Sequence, residues 1–534
     1  MTNKFFFKKE YCKTKKILGL IIVSLLSIGC ISSQNRSTIL VAGAGKIISI
    51  DPAQASTFQA LQLISALGDP LYRLNSKGDL EPVLARGLPL ISDDKLNIRI
   101  NLREDVIFHD GTKFNSSSMV FSIERFMNIG TLNYVLGNRI LSVESEGEFT
   151  LKINLTRPSS SLNGLLTSIH LTPLSPSSYA NYKDSFLNDN FIGTGPYRLT
   201  SFRNGHQRLE PFPSYWGDKP ENEGIDFISL TNSTALYGAI KSKEVDVLLS
   251  DSIDEDQRIS LNEMAKEGLL KEGTGPAMEI GYITLLTSKE PFDNSIIREA
   301  IAHSINRNLI SERVSYGLRE PLYSIIPPSL KEESFGPWPD YNPQHARDLM
   351  VSQGYCSSKK LKIPLTYRSN VPADKLLAIT WQAQIKNDLS DCFEINLDGI
   401  ESTTVYSYLS KGIFPAVILD WRGSYPDPEA YLTPFFSCSE IEGSLCKSGE
   451  AVESGSFWGS EEIESNLQES EYLEGSKRLE KLLNIESNAS KHFAYIPIWI
   501  VKPRAWVQND IQIPEFDGSG QILLQRLSYI KSTK

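Results

Sequence analysis

The run from Arg99 to Phe126, RINLREDVIFHDGTKFNSSSMVFSIERF, constrains the fold more than any other stretch of this chain. It reads as strand, turn and helix. Ile98, Ile100 and Leu102 alternate with Asn97, Arg99 and Asn101, the period-2 pattern of a half-buried strand. Asp110-Gly111 is a tight-turn dipeptide, because glycine accepts a positive φ at no steric cost. Asn115 or Ser116 can cap the helix that follows, with Val120, Ile123 and Phe126 on one face.

At 534 residues the chain is too long for one core and is expected to divide into two or three domains. Its first thirty residues read as a targeting segment. Six lysines between Lys4 and Lys16 precede a short apolar run, Ile17 to Ile28, which falls below the ~20 residues of a membrane-spanning helix. That run leads into Leu26-Ser27-Ile28-Gly29-Cys30, which resembles a bacterial lipoprotein processing site with Cys30 as the lipidated residue. Residues 1–29 carry six lysines and one glutamate, so without them the formal charge of −10 becomes −15. An acidic body with no basic patch argues against nucleic acid.

Four further cysteines remain beyond Cys12 and Cys30: Cys356, Cys392, Cys438 and Cys446. Export to an oxidising compartment makes disulfides plausible, and four thiols allow three pairings. Cys438–Cys446 would close a short polar loop and Cys356–Cys392 would tie a second region. Zinc is the rival, disfavoured because paired CxxC spacing is absent. Gly43-x-Gly45-Lys46 lacks the earlier glycine and the following Ser/Thr of a phosphate loop. The six histidines show no HExxH or other two-ligand helical spacing, and there is no G-x-S-x-G elbow. No catalytic group, cofactor or metal site is expected.

LRED-V-x-FHDG-T-KF-N, with the helix ending SIERF, resembles the signature of the peptide/nickel group of extracellular solute-binding proteins. These are the capture subunits of ATP-driven importers for peptides and metal chelates. Further landmarks resemble that family in the same order: Ile50-Asp51-Pro52, a "PALA"-like helix at Glu81 to Ala85, and Gly193-Thr194-Gly195-Pro196-Tyr197. Tyr215-Trp216-Gly217, the helix near Ile297 to Ile301, and Asp420-Trp421-Arg422-Gly423-Ser424-Tyr425-Pro426-Asp427-Pro428 follow. In that family the FHDG motif holds a turn, so His109 and Asp110 are expected to be scaffold.

The resemblance implies an α/β, two-lobed periplasmic-binding-protein fold with an extra small domain and a hinged cleft. It places a signal peptide at 1–29 and a lipid-anchored tether at 30–38. Lobe I would comprise 39–78, 191–282 and 496–534, with the small domain at 79–190 and lobe II at 283–495. Tyr495 to Ile500 would return the chain to lobe I.

The implied function is capture of short peptides, by backbone pairing and lobe closure, for a permease in the inner membrane. The protein would be exported, periplasmic or on the cell surface, anchored through Cys30, and monomeric. Expected cleft residues are Trp421, Arg422, Gly423, Ser424 and Tyr425, with Tyr134, Tyr282 and His206 as further candidates. Peptide-binding members commonly carry an aspartate, which meets the ligand's α-ammonium, where this chain has Ser424. Either Asp420 or Asp427 substitutes, or neutral groups and water hold the ammonium, or the ligand lacks one. The alternatives are a metal chelate or other small solute in the same fold, and an exported hydrolase or adhesin.

Overall fold

The computed structural model describes residues 37–530 apart from 56, 76–79, 132, 134, 135, 137, 138, 231, 251, 252, 332–335 and 358. Two large sheets and one small one organise them. The first runs, in spatial order, Leu270–Thr274, Arg504–Gln508, Val247–Leu249, Ile39–Ala44, Ile225–Leu230, His206–Pro211 and Tyr197–Arg203. Its centre is parallel: Ile39–Ala44 pairs parallel with Ile225–Leu230 and with Val247–Leu249. Helices cover both faces, so the central strand reads as a continuous apolar run rather than an alternating one.

The second sheet runs Glu320–Pro321, Tyr495–Val501, Glu279–Leu285, Ala416–Arg422, Leu361–Arg368 and Phe393–Ile400. Two strands expected in lobe I, at least in part, belong to this sheet. Glu279–Leu285 pairs along its whole length with Ala416–Arg422, and Tyr495–Val501 pairs with it on the other side. Lobe II therefore opens at 279 rather than 283, and the return to lobe I comes with Arg504–Gln508. The chain crosses between these two lobes at 275–278 and at 502–503. The crossings are tied together, the amide of Gly275 donating to the carbonyl of Pro503 at 2.9 Å.

The small domain carries the four-stranded sheet Leu90–Ile91, Asn97–Asn101, Thr150–Leu155 and Ile140–Gly147. Ile98, Ile100 and Leu102 are buried as the alternation requires. The helix is Ser116–Ile129; Asn115 caps it by accepting from the amide of Ser118 at 3.0 Å. Met119, Ile123 and Phe126 form its buried face, while Val120 is half-buried. The expected helix at Glu81 to Ala85 is absent. Leu80–Pro82 is a strand paired with Tyr72–Leu74, and the amides of Val83 and Ala85 donate to the Leu71 carbonyl, which holds this segment extended. The end of the segment assigned to the small domain also belongs elsewhere, since Leu174 and Tyr179 pack into the lobe I core.

The FHDG turn is scaffold. The His109 amide donates to Gly193 O at 2.9 Å, and its ring Nε2 lies 3.1 Å from Gly195 O. Burial pushes His109 down to about 4. Burial also opposes ionisation of Asp110, but the hydroxyls of Ser175, Thr112 and Ser178 hold its carboxyl below the usual carboxylate range. A second anchor is fully buried. Arg125 pairs bidentately with Asp51, at 2.8 and 2.6 Å, and donates to the carbonyls of Tyr182 and Ser185. Asp51 also accepts from the amides of Ala53 and Leu187. One ion pair thus joins lobe I, the small-domain helix and the segment between them. The sulfurs pair Cys356 with Cys392 and Cys438 with Cys446, which leaves no thiolate among these four for zinc. No helix among the described residues is long and apolar enough to cross a membrane.

Truncating one partner of a buried, hydrogen-bonded ion pair strands the other charge. Arg125→Ala should therefore lower unfolding free energy by roughly 3–5 kcal/mol, measured by urea denaturation. His109 is held neutral in the folded chain but titrates near 6.5 when unfolded, so the unfolded chain takes up the proton first as pH falls. Stability should drop by up to about 3 kcal/mol between pH 6.5 and 4 on this account, and a His109→Asn variant should show a shallower loss.

Candidate ligand-binding cleft

A cavity of about 490 Å³ lies where the two lobes and the small domain meet. Lobe I supplies Phe58, Ser250 and Arg258 from one side and the turn around Ser519 from another. The small domain contributes Thr167 to His170. Lobe II contributes Glu279, Arg319 and the run Arg422 to Pro426. The sequence-expected Arg422, Gly423, Ser424 and Tyr425 thus lie together on its wall.

The end of the strand Ala416–Arg422 reaches this wall for a local reason. A side chain at Gly423 would put a Cβ 2.7 Å from the Tyr431 ring and 3.1 Å from Ala430. Only glycine lets the backbone pass this close to the helix Glu429–Phe436. Ladder pairing with Leu361–Arg368 stops at Thr366–Val417, so residues 418–422 have strand partners on one side only among the described residues.

The other expected residues sit elsewhere. Trp421 points away from the cavity wall: its ring Nε1 donates to Ala430 O at 2.9 Å and the ring packs edge-on against Phe435. Tyr282 is core, packed edge-on against Phe435 and Tyr495. His206 lies on an outer strand of the lobe I sheet, beside Asp226 at 2.8 Å. Tyr134 and Cys30 fall outside the described residues.

Asp420 and Asp427 are both spoken for. Asp420 makes two hydrogen bonds with Arg368, at 2.9 and 2.7 Å. Asp427 is buried, pairs bidentately with Arg478 at 2.8 Å, and accepts from the amide of Glu429. Neither lines the cavity, so neither stands in for the aspartate that Ser424 replaces. Behind Tyr425, the small domain's Arg139 bridges to Glu429 at 2.6 Å and Glu471 at 3.2 Å. Burial alone would raise the Glu429 carboxyl, but Arg139 holds it below its usual range.

Sequence reasoning missed three charged residues of the wall: Arg258, Arg319 and Glu279. Arg258 follows the start of the lobe I helix Glu255–Lys266. Arg319 belongs to lobe II and pairs with Glu255 of lobe I at 2.8 Å, so this ion pair spans the cleft. Arg422 also spans it, donating to the Ser519 carbonyl, with its guanidinium 5.7 Å over the Phe58 ring. Glu279 opens the strand Glu279–Leu285 and sits opposite Arg422 in register. Burial, and then the nearby Asp420, push its carboxyl up, while Arg319, Arg422 and Arg258 oppose this. The signal that finds Glu279 is strand register, which no local motif carries.

One group among the described residues could hold a metal: Glu299, His303 and His345, whose ligand atoms lie within 4.8 Å of one another. None lines the cavity, so this group has no part in the solute site.

The model of the middle region of bacterial extracellular solute-binding proteins, family 5, matches residues 79–443. The glutathione-binding protein GsiB of Salmonella typhi is 28% identical over 335 residues, 62% of this chain and 64% of that protein. The match therefore spans less than two thirds of that relative's length. Among solved structures, a dipeptide-binding protein from Pseudoalteromonas sp. SM9913 in complex with Met-Leu superposes with a TM-score of 0.76 at 21% identity. It covers 92% of this chain and 100% of that one. NikA from Brucella suis in complex with Fe(III)-EDTA gives a TM-score of 0.80 at 20% identity, covering 92% and 99%. These two likenesses establish the two-lobed fold.

If Asp427 serves the scaffold, Asp427→Asn should lower the urea midpoint by the equivalent of ~3 kcal/mol, because Arg478 is left buried against a neutral amide. A variant of unchanged stability would return Asp427 to the list of ligand-contacting candidates.

Proposed function

The chain belongs to the bacterial extracellular solute-binding proteins, family 5, and on that footing we propose that it captures short peptides between its lobes and hands them, unaltered, to an ABC permease. The observation that carries this reading is the interlobe cavity, whose volume falls in the usual range for small-molecule sites. Its wall joins guanidinium groups from both lobes to the end of the strand Ala416–Arg422, whose edge beyond Val417 has no partner on one side among the described residues. An extended peptide can pair its backbone with such an edge irrespective of its side chains. Its carboxylate can accept from an arginine fork bidentately. Arg422, Gly423, Ser424 and Tyr425 are the contact residues of this reading.

Lobe closure follows the hinge logic of two packed bodies joined by short crossings. The crossings at 275–278 and 502–503 are where the backbone would rotate, and the Arg319–Glu255 pair would form as the lobes meet. The leader read at 1–29 and the cysteine that follows it, Cys30, support an exported, lipid-anchored protein that works at the membrane surface.

A second reading is favoured by the three arginines, Arg258, Arg319 and Arg422, which suit a metal chelate with several carboxylates. Glutathione, Met-Leu and Fe(III)-EDTA, the solutes printed for the similar proteins, all bear carboxylates. The presence of Glu279 on the same wall tips the balance towards a ligand that also carries a positive charge.

Native mass spectrometry of the purified protein separates these outcomes. Retained or added di- and tripeptides should give a 1:1 complex and leave with unchanged mass. Retention of a metal chelate instead would establish the second reading, and cleavage of the peptide would overturn both.

A further inference from the structure

We propose that Glu279, on the first strand of lobe II, supplies the negative charge that meets a peptide ligand's α-ammonium; this rests on the peptide reading above. Glu279 differs from every other carboxylate near the cavity in one respect. It lines the wall, yet among the described residues its side chain makes no hydrogen bond or ion pair. Asp420 is held by Arg368, Asp427 by Arg478, and Glu255 by Arg319. Asp517, in the neighbouring turn, already accepts from the amides of Ser519 and Gln521 and from the Ser519 hydroxyl.

The arginines of the wall do not satisfy Glu279. It faces Arg422 across the antiparallel pair Glu279–Leu285 and Ala416–Arg422, but neither Arg422 nor Arg258 nor Arg319 forms an ion pair with it. Arg422 instead reaches across to Ser519 O, and Arg258 donates to the carbonyl of Ser250. An enclosed carboxylate without a hydrogen-bonding partner is costly to keep charged. A cationic ligand group placed beside it removes that cost. The wall therefore offers one acceptor for an ammonium and several guanidinium forks for carboxylates, the complement of a zwitterion with a free N-terminus.

The geometry also explains how Ser424 is tolerated at the loop position. The required charge has moved from the loop after the strand Ala416–Arg422 to the adjoining strand, where register keeps it next to Arg422. Glu279 immediately follows the crossing at 275–278, so an ammonium bound there would sit at the hinge rather than at the mouth of the cleft.

The test is a thermodynamic cycle by isothermal titration calorimetry, with trialanine and N-acetyl-trialanine as probes on the wild-type protein and on Glu279→Gln. The wild type should bind the free peptide about 30-fold or more tighter than the acetylated one, as expected for removal of one partner of an enclosed charge pair. In Glu279→Gln that ratio should collapse to within about threefold, chiefly through loss of affinity for the free peptide. Glu279→Asp keeps the charge and should retain a clear preference for the free peptide; it carries the test if the glutamine variant fails to fold. An unchanged ratio in Glu279→Gln, or a wild type that treats both peptides alike, overturns the assignment while leaving peptide capture standing. A wild type that binds neither peptide removes the peptide reading, and this inference with it.

Discussion

Among the described residues the two lobes are joined by two strand-to-strand crossings, at 275–278 and 502–503, and the Gly275–Pro503 hydrogen bond makes these a single double-stranded strap. Everything else between the lobes is side-chain contact or runs through the small domain. A strap of this kind permits rotation about one line and resists sliding, because each crossing continues directly into a sheet strand on both sides. The cavity lies beside it, lined by Pro503 and Val501 as well as by residues from both lobes. Movement of the lobes therefore changes the distance from Arg319 and Arg422 to lobe I more than it changes the strand register holding Glu279 against Arg422.

Charge is handled differently inside the scaffold and at the cavity. Asp51 with Arg125, Asp427 with Arg478, and Glu429 with Arg139 are buried pairs with hydrogen bonds on both partners. Burying a charge is tolerable when its partner is close and both are hydrogen-bonded in this way. These pairs join separate chain segments, which suits a molecule whose small domain touches both lobes. At the cavity wall one carboxylate stands outside this scheme: the Glu279 side chain makes no hydrogen bond or ion pair among the described residues. An unpaired carboxylate on a cavity wall marks where a cationic group of a guest would be received.

The block around FHDG was legible because its information is local: alternation, a turn dipeptide and a cap lie within thirty residues. The run after Ala416 was legible as a strand entering a glycine-containing loop, and part of that loop does line the cavity. Its neighbours Asp420 and Asp427 looked equally available in sequence. Their neutralising partners, Arg368 and Arg478, lie 52 and 51 residues away and become visible only when the strands and helices are assembled. Trp421 was misleading because alternate residues on one strand face opposite sides. Glu279, Arg258 and Arg319 were illegible for the same underlying reason. They come from a strand, a helix in the other lobe and a connecting segment, and only the register and the docking of the lobes bring them to one wall. The boundary errors at 282 and 496 have a related origin: a strand's composition shows that it is buried but not which sheet it joins.

Among the described residues the strand Leu270–Thr274 has a single neighbour in its sheet, Arg504–Gln508, which follows lobe II in the sequence. During synthesis that neighbour follows only after the whole of lobe II, so lobe I stays unfinished on this side until lobe II has been made. A late-closing sheet of this sort delays the native state of the whole polypeptide. For an exported chain, the delay leaves a longer window in which the translocation machinery meets a thread rather than a folded body.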